Sequence, residues 1–446
     1  MKTAIVKSSW LSSIGKRLDA EFHLSEAVKT RKLLKQAKVS LLPLSKVTNE
    51  IFLGNIFRRT FVGNSEKGIA YITASDMVNA NINTGKYLSK KLTLKQDRLL
   101  LKKDWILLSC SGTLGNVVYT NENFKGRIGT HDLIRIVPNN NSKAIPGFLY
   151  AYLASKYGYS LLIQPSYGGV IKHIEPHHIL DLPVPIFNET KQKEIHNLIN
   201  KVSRLREDAN VSILNAQEKF EKYSQINQLT NNTNIKRISN YQNRLDAQFG
   251  LIFQSIKEFI IAKDFTYLGE VTSSIFMGPR SKRNYVSKGV GFLNTSEMML
   301  SNPSNPKKFV SNKTKGFEVH KDWILISRSG TIGNCVIVGD MLKNYFVTED
   351  AIRIVCNKDL IHPNYVFAFL ISSIGTKLIQ SGAFGSVIQH IDEQLLASIP
   401  IPLLSKTEQS EVIDNVQKYR DNYDLAIQLE NKAIQLIETE IESWQN

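Results

Sequence analysis

Two stretches of the chain repeat hydrophobic residues at steps of three and four positions, a spacing typical of an amphipathic helix. The first covers residues 189–223 and the second covers residues 406–444. At 1.5 Å per residue, either stretch gives a helix of roughly 55 Å, longer than packing on one small domain requires. The sustained spacing therefore predicts two long helices in a coiled coil. The alternative is that each helix packs only on its own domain.

The segments before each long helix show shorter apolar runs that are bounded by turn residues, which predicts strands. Examples are residues 105–108, 117–119 and 133–137. Residues 146–156 and 363–373 begin with proline and carry apolar residues at helical spacing, which predicts short helices. Short strands mixed with a few helices indicate a compact α+β fold.

The whole pattern occurs twice along the chain. Residues 104–118 read DWILLSCSGTLGNVV and residues 322–336 read DWILISRSGTIGNCV, with eleven of fifteen positions identical. A repeat of this kind decides the architecture before any local motif does. The sequence therefore predicts two similar domains, each followed by one long helix. The other matched segments are residues 17–20 with 244–247, 69–77 with 290–298, 131–137 with 349–355, 167–174 with 384–391 and 182–186 with 399–403.

The net charge indicates an anionic partner. The 446 residues include 56 Lys and Arg against 40 Asp and Glu, which gives a formal charge of +16 and a pI near 9.5. The two long helical stretches do not carry this surplus, because the first is nearly neutral and the second is acidic. Basic charge on the repeated domains favours nucleic acid over a membrane surface. A protein composition rich in Lys and Asn is the alternative explanation.

The cysteine content and the hydropathy narrow the protein class. Three scattered cysteines are too few for a disulfide framework or a zinc site, so no metal site is expected. No apolar stretch has the length of a transmembrane helix, and the first residues lack the apolar core of a signal peptide. We therefore expect a cytoplasmic protein.

Two glycine-bounded loops carry most of the candidate DNA contacts. They span residues 54–68 and 278–289, one in each copy. Arginine can bind guanine O6 and N7 with two hydrogen bonds, asparagine can do the same for adenine, and basic groups can hold phosphate. A solvated surface loop is the alternative. The candidates are Arg58, Arg59 and Lys67 in the first loop and Arg280, Lys282, Arg283 and Asn284 in the second.

Glycine-opened turns supply the remaining candidates. The sequence Ser-Gly-Thr-x-Gly-Asn predicts a tight turn between strands, at residues 111–116 and 329–334. Its hydroxyls and N–H groups can hold a phosphate oxygen, although a capped hairpin turn explains the pattern equally well. We interpret the histidines of the second turn, at residues 167–174 and 384–391, as hydrogen-bonded structural residues. The candidates are Ser111, Thr113, Ser329 and Thr331 in the first turn, and Lys172 and Gln389 in the second.

The sequence carries none of the catalytic motifs that would mark an enzyme acting by itself. It has no phosphate-binding loop, dinucleotide fingerprint, nucleophile elbow or His-Glu-x-x-His helix. It also lacks the Asn-Pro-Pro-Tyr or Asp-Pro-Pro-Tyr tetrapeptide of amino-methyltransferases. The sequence therefore predicts a binding protein with no catalytic residues.

The order of domain, long helix, domain and long helix resembles the DNA-specificity subunit of a type I restriction-modification system. The motifs that carry the resemblance are the duplicated Ser-Gly-Thr-x-Gly-Asn turn, the glycine turn ending in His-Ile, and the Pro-x-Pro segments at residues 183–185 and 400–402. The resemblance implies target-recognition domains at residues 1–187 and 241–404. It also implies a spacer helix with a linker at residues 188–240 and a second spacer helix at residues 405–446.

In that family, each recognition domain reads one half of a bipartite target in double-stranded DNA, and two antiparallel helices set the spacing. The resemblance implies two methyltransferase subunits that dock on the chain, with two restriction subunits able to join them. S-adenosylmethionine, ATP and Mg are then cofactors of those partners, and this chain binds none. Three alternatives stay open: a related system with a fused methyltransferase-nuclease partner, an enzyme acting alone on nucleic acid, and a membrane or carbohydrate adaptor.

Overall fold

The computed structural model describes residues 3, 5–6, 17, 19–93, 97–168, 172–221 and 248–445. The chain forms two compact units. The first contains Met1–Glu207 together with Leu425–Asn446, and the second contains Asp208–Asp424. Residues 224–240, whose polar, Asn-rich sequence predicts a flexible linker, and the repeat segment at residues 244–247 lie outside the described residues.

Both predicted long helices are present, at Glu189–Glu218 and Lys406–Glu442. The first ends slightly earlier than the sequence pattern predicts. Each helix contributes residues to both compact units. The division into separate recognition domains and spacer helices, as drawn from the sequence, therefore stays a prediction.

The strands of the first unit are β1 (Leu41–Pro43), β2 (Thr48–Leu53), β3 (Phe61–Val62), β4 (Gly68–Ile72), β5 (Tyr87–Ser89), β6 (Ile106–Ser109), β7 (Val117–Tyr119), β8 (Ile128–Gly129), β9 (Leu133–Pro138) and β10 (Pro183–Pro185). Its central sheet is antiparallel, in the order β2-β9-β6-β7. A second sheet has the order β3-β5-β4-β8, in which only β4 and β8 are parallel. β1 pairs with β10.

The strands of the second unit are β11 (Phe265–Tyr267), β12 (Thr272–Phe276), β13 (Tyr285–Val286), β14 (Val290–Leu293), β15 (Lys308–Val310), β16 (Ile324–Ser327), β17 (Cys335–Ile337), β18 (Phe346–Val347), β19 (Ala351–Cys356) and β20 (Pro400–Pro402). The sheets have the orders β12-β19-β16-β17, β13-β15-β14-β18 and β11-β20. Every sheet of the first unit thus has a counterpart with the same strand order, so the sequence repeat is a structural repeat.

The other helices of both units are short. The proline-initiated helices predicted from the sequence are present at Pro146–Ala154 and Pro363–Ile371. Further α-helices cover Ala20–His23, Glu26–Leu34, Lys90–Thr93, Lys156–Ile163, Pro176–Ile179, Gln254–Ile261, Ser373–Gly382 and Glu393–Ala397. Single turns of other helix types cover Leu44–Lys46, Asp97–Leu99, Gln248–Phe253, Leu268–Val271, Glu297–Met299, Leu342–Asn344 and Ser443–Gln445.

The central sheet of each unit is buried on both faces, which explains its unbroken apolar runs. On β6, Ile106 and Leu108 point into the core that the long helices help to form, because successive strand side chains alternate between faces. Leu107 points into a smaller core on the opposite face. The same alternation occurs on β16 in the second unit.

Residues early in one long helix meet residues late in the other. In the first unit, Lys191 near the start of the first helix pairs with Glu440 near the end of the second. In the second unit, Lys219, just after the first helix, pairs with Glu411 near the start of the second. Pairing of this kind is that of antiparallel helices. The predicted fold class, two similar α+β domains with two long antiparallel helices, is confirmed.

Candidate nucleic-acid interface

Several candidate segments of the first unit lie at the same edge of its central sheet. The last residue of β2, Leu53, pairs with Ile134, and the last residue of β6, Ser109, pairs with Leu133. Both strands are antiparallel to β9, so the loop after β2, the turn after β6 and the segment before β9 emerge side by side. We call this end of the sheet the loop edge.

The second glycine turn joins the loop edge through backbone hydrogen bonds. In the first unit, the Ile174 N–H donates to the carbonyl oxygen of Cys110 at 2.9 Å. In the second unit, the Ile391 N–H donates to the carbonyl oxygen of Arg328 at 3.1 Å. The loop edge therefore consists of residues 54–68, 110–116, 129–132, 167–168 and 172–174 in the first unit, and residues 169–171 of the turn lie outside the described residues. Its counterpart consists of residues 278–289, 328–334, 347–350 and 384–391.

A fully buried arginine organises the first loop edge. Arg135 on β9 donates hydrogen bonds to the carbonyl oxygens of Leu133 at 2.6 Å, Gly129 at 2.9 Å and Thr130 at 3.1 Å. Gly54 is the first residue of the glycine-bounded loop at residues 54–68, called the first basic loop below. A Cβ on Gly54 would lie 2.2 Å from Cδ2 of Leu99 and 3.1 Å from Nη1 of Arg135. The guanidinium thus fixes the segment before β9 and, together with Leu99, limits the space at the start of the first basic loop.

The second loop edge has the same buried arginine. Arg353 on β19 donates to the carbonyl oxygens of Val347 at 2.6 Å, Ala351 at 2.6 Å and Thr348 at 2.9 Å. A Cβ on Gly278 would lie 3.0 Å from Nη1 of Arg353. The two arginines therefore occupy equivalent positions and serve the same structural purpose.

Burial changes the titration of these two cations without neutralising them. Loss of solvation lowers the pKa of Arg135 to about 10, and it lowers the pKa of Arg353 to about 10. Both side chains are therefore charged at neutral pH. Neither arginine was predicted from the sequence, although each lies in the centre of an apolar strand of its copy.

The first basic loop presents exposed cations. Arg58 and Lys67 are exposed, as is Arg59. Arg59 Nη1 donates to the hydroxyl of Tyr71 at 3.2 Å, and the ring of Phe61 meets the Tyr71 ring edge-on at 5.8 Å. Tyr71 therefore restrains Arg59, whereas Arg58 and Lys67 extend from the loop into solvent.

The second basic loop divides its candidates into two groups. Arg280, Lys282 and Asn284 are exposed. Arg283 is half-buried, forms an ion pair with Glu349 and lies 4.9 Å over the ring of Phe292. Burial opposes its charge, but hydrogen bonds to Tyr285 and Glu349 outweigh that effect and raise the pKa of Arg283. Arg283 is thus engaged inside the domain, and the other three candidates face solvent.

The first Ser-Gly-Thr-x-Gly-Asn turn is held by a serine outside the motif. The hydroxyl of Ser109 donates to the carbonyl oxygen of Thr113 at 2.6 Å and accepts the Asn116 N–H at 2.9 Å. Gly112 and Gly115 have positive φ, at 70° and 84°. The Thr113 side chain is exposed and Ser111 is half-buried. Both candidate residues therefore belong to a hairpin turn that is open to solvent.

The equivalent turn of the second unit is also held by a serine at the end of its strand, but this serine bonds a different residue of the turn. The hydroxyl of the buried Ser327 donates to the carbonyl oxygen of Ser329 at 3.0 Å. Ser329 is half-buried and Thr331 is exposed. The sequence analysis missed Ser109 and Ser327, although each directly follows three apolar residues and ends its strand in both copies.

The candidates of the second glycine turn differ in their partners. Lys172 forms an ion pair with Glu21, so part of its charge is neutralised within the first unit. Gln389 is exposed. His173 and His390 form bridges to Ser111 and Ser329 through their backbones. The structure therefore brings both turns together at the loop edge of each unit.

One chemical difference separates the two loop edges directly before the Ser-Gly-Thr turn. The first unit has Cys110, which is buried and whose pKa burial raises to about 12. The second unit has the half-buried Arg328, whose Nη1 lies 4.0 Å from the carboxylate of Asp350. The second unit therefore places an additional cation at its loop edge.

Residues 3, 5–6, 17, 19–93, 97–168, 172–221 and 248–445 include no cluster of three or more His, Cys, Asp or Glu side chains suited to a metal. Within that same part of the chain, no helix is long and apolar enough to cross a membrane.

The model of one protein family, the type I restriction modification DNA specificity domain, matches the chain twice, at residues 50–216 and 267–439. No curated protein matches the chain.

Similar solved structures include an S subunit of a type I restriction-modification system from M. genitalium, with 13% identity, 91% of this chain and 96% of that chain covered, and a TM-score of 0.35. The HsdS subunit from Thermoanaerobacter tengcongensis has 14% identity, the same coverages and a TM-score of 0.28. A structure described as the basis of complex assembly and conformational transition of a type I system has 13% identity, coverages of 91% and 99%, and a TM-score of 0.29.

Proposed function

Because the chain belongs to the type I restriction-modification DNA specificity family, we propose that each of its two domains reads one half of a bipartite DNA target. The family match falls once on each structural repeat. The observation that carries the proposal is the loop edge, which has the same backbone frame in both units but different side chains. A shared frame with different exposed groups is what two unlike half-sites require.

Double-stranded DNA fits the charge of the loop edge. Arg58 and Lys67 extend from the first basic loop, and Arg280 and Lys282 extend from the second. Cations of this kind bind phosphates and guanine edges. The proposed contacts remain Arg58, Arg59, Lys67, Ser111, Thr113, Lys172, Arg280, Lys282, Arg283, Asn284, Ser329, Thr331 and Gln389.

The proposed contacts are not expected to contribute equally to DNA binding. Arg283 and Lys172 contact DNA only if they give up their pairs with Glu349 and Glu21. The Arg283–Glu349 pair is largely buried, so leaving it costs free energy that a new phosphate contact has to replace. The Lys172–Glu21 pair is exposed and costs little to leave. We therefore assign the main base and phosphate contacts to the exposed cations and give Arg283 a secondary part.

The long helices are proposed to set the spacing between the half-sites and to dock methyltransferase subunits. Two such subunits, and two restriction subunits where the system includes them, would carry the catalysis. S-adenosylmethionine, ATP and Mg would then be bound by those subunits, while this chain supplies recognition alone. The alternative is the specificity component of a related system whose partner combines methyltransferase and nuclease.

Exchange of one domain tests the proposal. Residues 241–404 are replaced by the corresponding segment of a relative that recognises a different sequence, and the methylated sequence is mapped. The expected result is a change in one half-site with the other half-site retained. A change in both half-sites, or in neither, would show that the two domains do not read DNA independently.

A further inference from the structure

The second glycine turn of the second unit presents two large apolar side chains to solvent. Val387 is 94% exposed and Ile388 is 69% exposed. Single exposed apolar residues are common on protein surfaces, whereas two adjacent ones at the tip of a turn form a small continuous apolar surface that a partner could cover. The pair gains free energy only when another molecule covers it.

The turn is a defined structure that holds this pair at its tip. Phe384 and His390 exchange two backbone hydrogen bonds, at 2.9 and 2.8 Å, and their rings pack edge-to-face at 4.3 Å. Gly385 has φ of 112°, and a Cβ there would lie 2.4 Å from the carbonyl oxygen of Ile388. Only glycine fits at that position, so the backbone is shaped to project residues 387 and 388.

The tip belongs to the loop edge and lies in sequence beside a polar candidate. The turn is tied to the strand β16 side of the edge by the Ile391 N–H, which bonds to the Arg328 carbonyl oxygen. Gln389 directly follows the apolar pair and is exposed. The same edge carries the exposed cations Arg280 and Lys282. Apolar groups on an edge that also carries cations suit a polyanion with apolar stacked interiors, and duplex DNA is such a molecule.

The apolar pair recurs in the first copy while its neighbours change. The turn sequences are YGGVIKHI and FGSVIQHI, so Val170-Ile171 matches Val387-Ile388, whereas Lys172 is matched by Gln389. The structure describes only the second pair. Residues that read different half-sites have to differ, so a pair that both copies share suits a contact independent of base sequence.

We propose that Val387 and Ile388 form an apolar wedge that inserts at a base step of the second half-site. The wedge unstacks the step and deforms the duplex toward the basic loop, as apolar side chains do when they enter a groove. The proposal rests on the proposed function, since it requires that the loop edge face DNA. It assigns part of the binding to DNA deformation, independent of base-edge hydrogen bonds.

The test uses the full chain assembled with its methyltransferase partner. The probe is a duplex carrying the methylated sequence, with 2-aminopurine placed in turn at each position of the second half-site. The adenine that is methylated is left out, because methyltransferases extrude their target base. Wild-type complex is expected to raise the fluorescence of 2-aminopurine at one step, and the Val387→Ser/Ile388→Ser variant is expected to lose that increase.

Loss of the wedge also weakens DNA binding, by about tenfold, because the apolar contact is absent. Ile388→Leu retains an apolar side chain of the same volume and is expected to keep both the fluorescence change and the affinity. Leu360→Ser is the matched control, since Leu360 is 61% exposed and follows β19 at the end of the sheet opposite the loop edge. That variant is expected to behave as wild type.

Three results would contradict the proposal that Val387 and Ile388 insert between bases. One is an unchanged fluorescence increase in the serine variant, and another is unchanged affinity. The third is normal DNA binding with weakened assembly of the methyltransferase, which assigns the tip to a protein partner. Failure of the proposed function looks different, because wild-type complex itself would then show no preference for DNA with the bipartite sequence.

Discussion

Arg206 on the first long helix and Glu430 on the second form a two-bonded ion pair inside the first unit. Nη2 of Arg206 donates to Oε2 of Glu430 at 2.8 Å, and Nη1 donates to Oε1 at 3.0 Å. Glu430 is 3% exposed and also accepts the hydroxyl of Tyr150 at 2.7 Å. One carboxylate therefore joins both helices to the domain. This contact couples the register of both helices to the first unit.

Glu430→Ala should destabilise the first unit strongly. The change leaves the Arg206 guanidinium and the Tyr150 hydroxyl without this carboxylate in a buried setting, at a cost of about 3–5 kcal/mol. Urea unfolding of the full chain measures the loss. The control is Glu189→Ala, which breaks an exposed pair with Lys193 and should cost less than about 1 kcal/mol. An equal loss of unfolding free energy in the two variants would contradict a stabilising role for the buried contacts of Glu430.

Arg353→Met should relax recognition at the second half-site. The apolar side chain removes the guanidinium hydrogen bonds to three carbonyl oxygens, so the loop edge loses its defined geometry. Competition binding with duplexes altered in one half-site measures discrimination. We expect discrimination at the second half-site to fall at least about tenfold, the equivalent of 1.4 kcal/mol, with little change at the first.

Arg135→Met is the matched control for that experiment and should give the opposite pattern, with relaxed recognition at the first half-site alone. Loss of discrimination at both half-sites from either variant would mean that each arginine supports the fold as a whole. That result would show that the two loop edges do not recognise their half-sites independently.

Two exposed cations should affect DNA binding in different ways. Arg58→Ala removes a possible two-bonded guanine contact and should cost about 1–3 kcal/mol for the correct first half-site while relaxing it. Lys282→Ala removes a point charge and should weaken binding to all DNA sequences. The slope of log affinity against log salt concentration should become shallower by about one. Lys358 follows β19 at the end of the sheet opposite the loop edge, and Lys358→Ala should change neither the discrimination between sequences nor the overall DNA affinity. A sequence-independent effect of Arg58 would contradict its assignment.

Lengthening both long helices should lengthen the gap in the recognised sequence. Four residues of helix-forming sequence are added after Glu207 in the first helix and after Asp424 in the second, where the two units divide. The insertion adds about 6 Å, close to two base pairs at 3.4 Å each. Methylation mapping should show unchanged half-sites with a gap longer by one or two base pairs. An unchanged gap would refute the helices as the spacer.

The helices and strands could be predicted because each depends on the spacing of residues that are near one another in the chain. The duplication of the domain could be predicted because the two copies still share recognisable segments. The long helices, the buried strands and the duplicated turn were predicted from apolar residues and glycines that lie close together in the chain. The glycine-opened loops were also identified, and the register of β2, β6 and β9 brings their bases to one edge.

The contacts that organise that edge could not be predicted, because their partners lie far apart in sequence. Glu349 engages Arg283 across 66 residues, and Glu21 engages Lys172 across 151 residues. From charge alone, Arg283 and Lys172 were predicted as DNA contacts in the same way as the exposed cations. Arg135 was not among the predicted contacts, and only the folded carbonyl cluster shows what its buried charge does.

Mapping of methylated DNA positions across the host genome, with and without this gene, is the decisive measurement for recognition by two separate domains. We expect one interrupted sequence, two defined half-sites with a constant gap, that is methylated when the gene is present and unmethylated when it is deleted. Restoring the gene should restore that sequence. A methylation map unaffected by deletion, or loss of a continuous sequence without a gap, would contradict recognition by two separate domains.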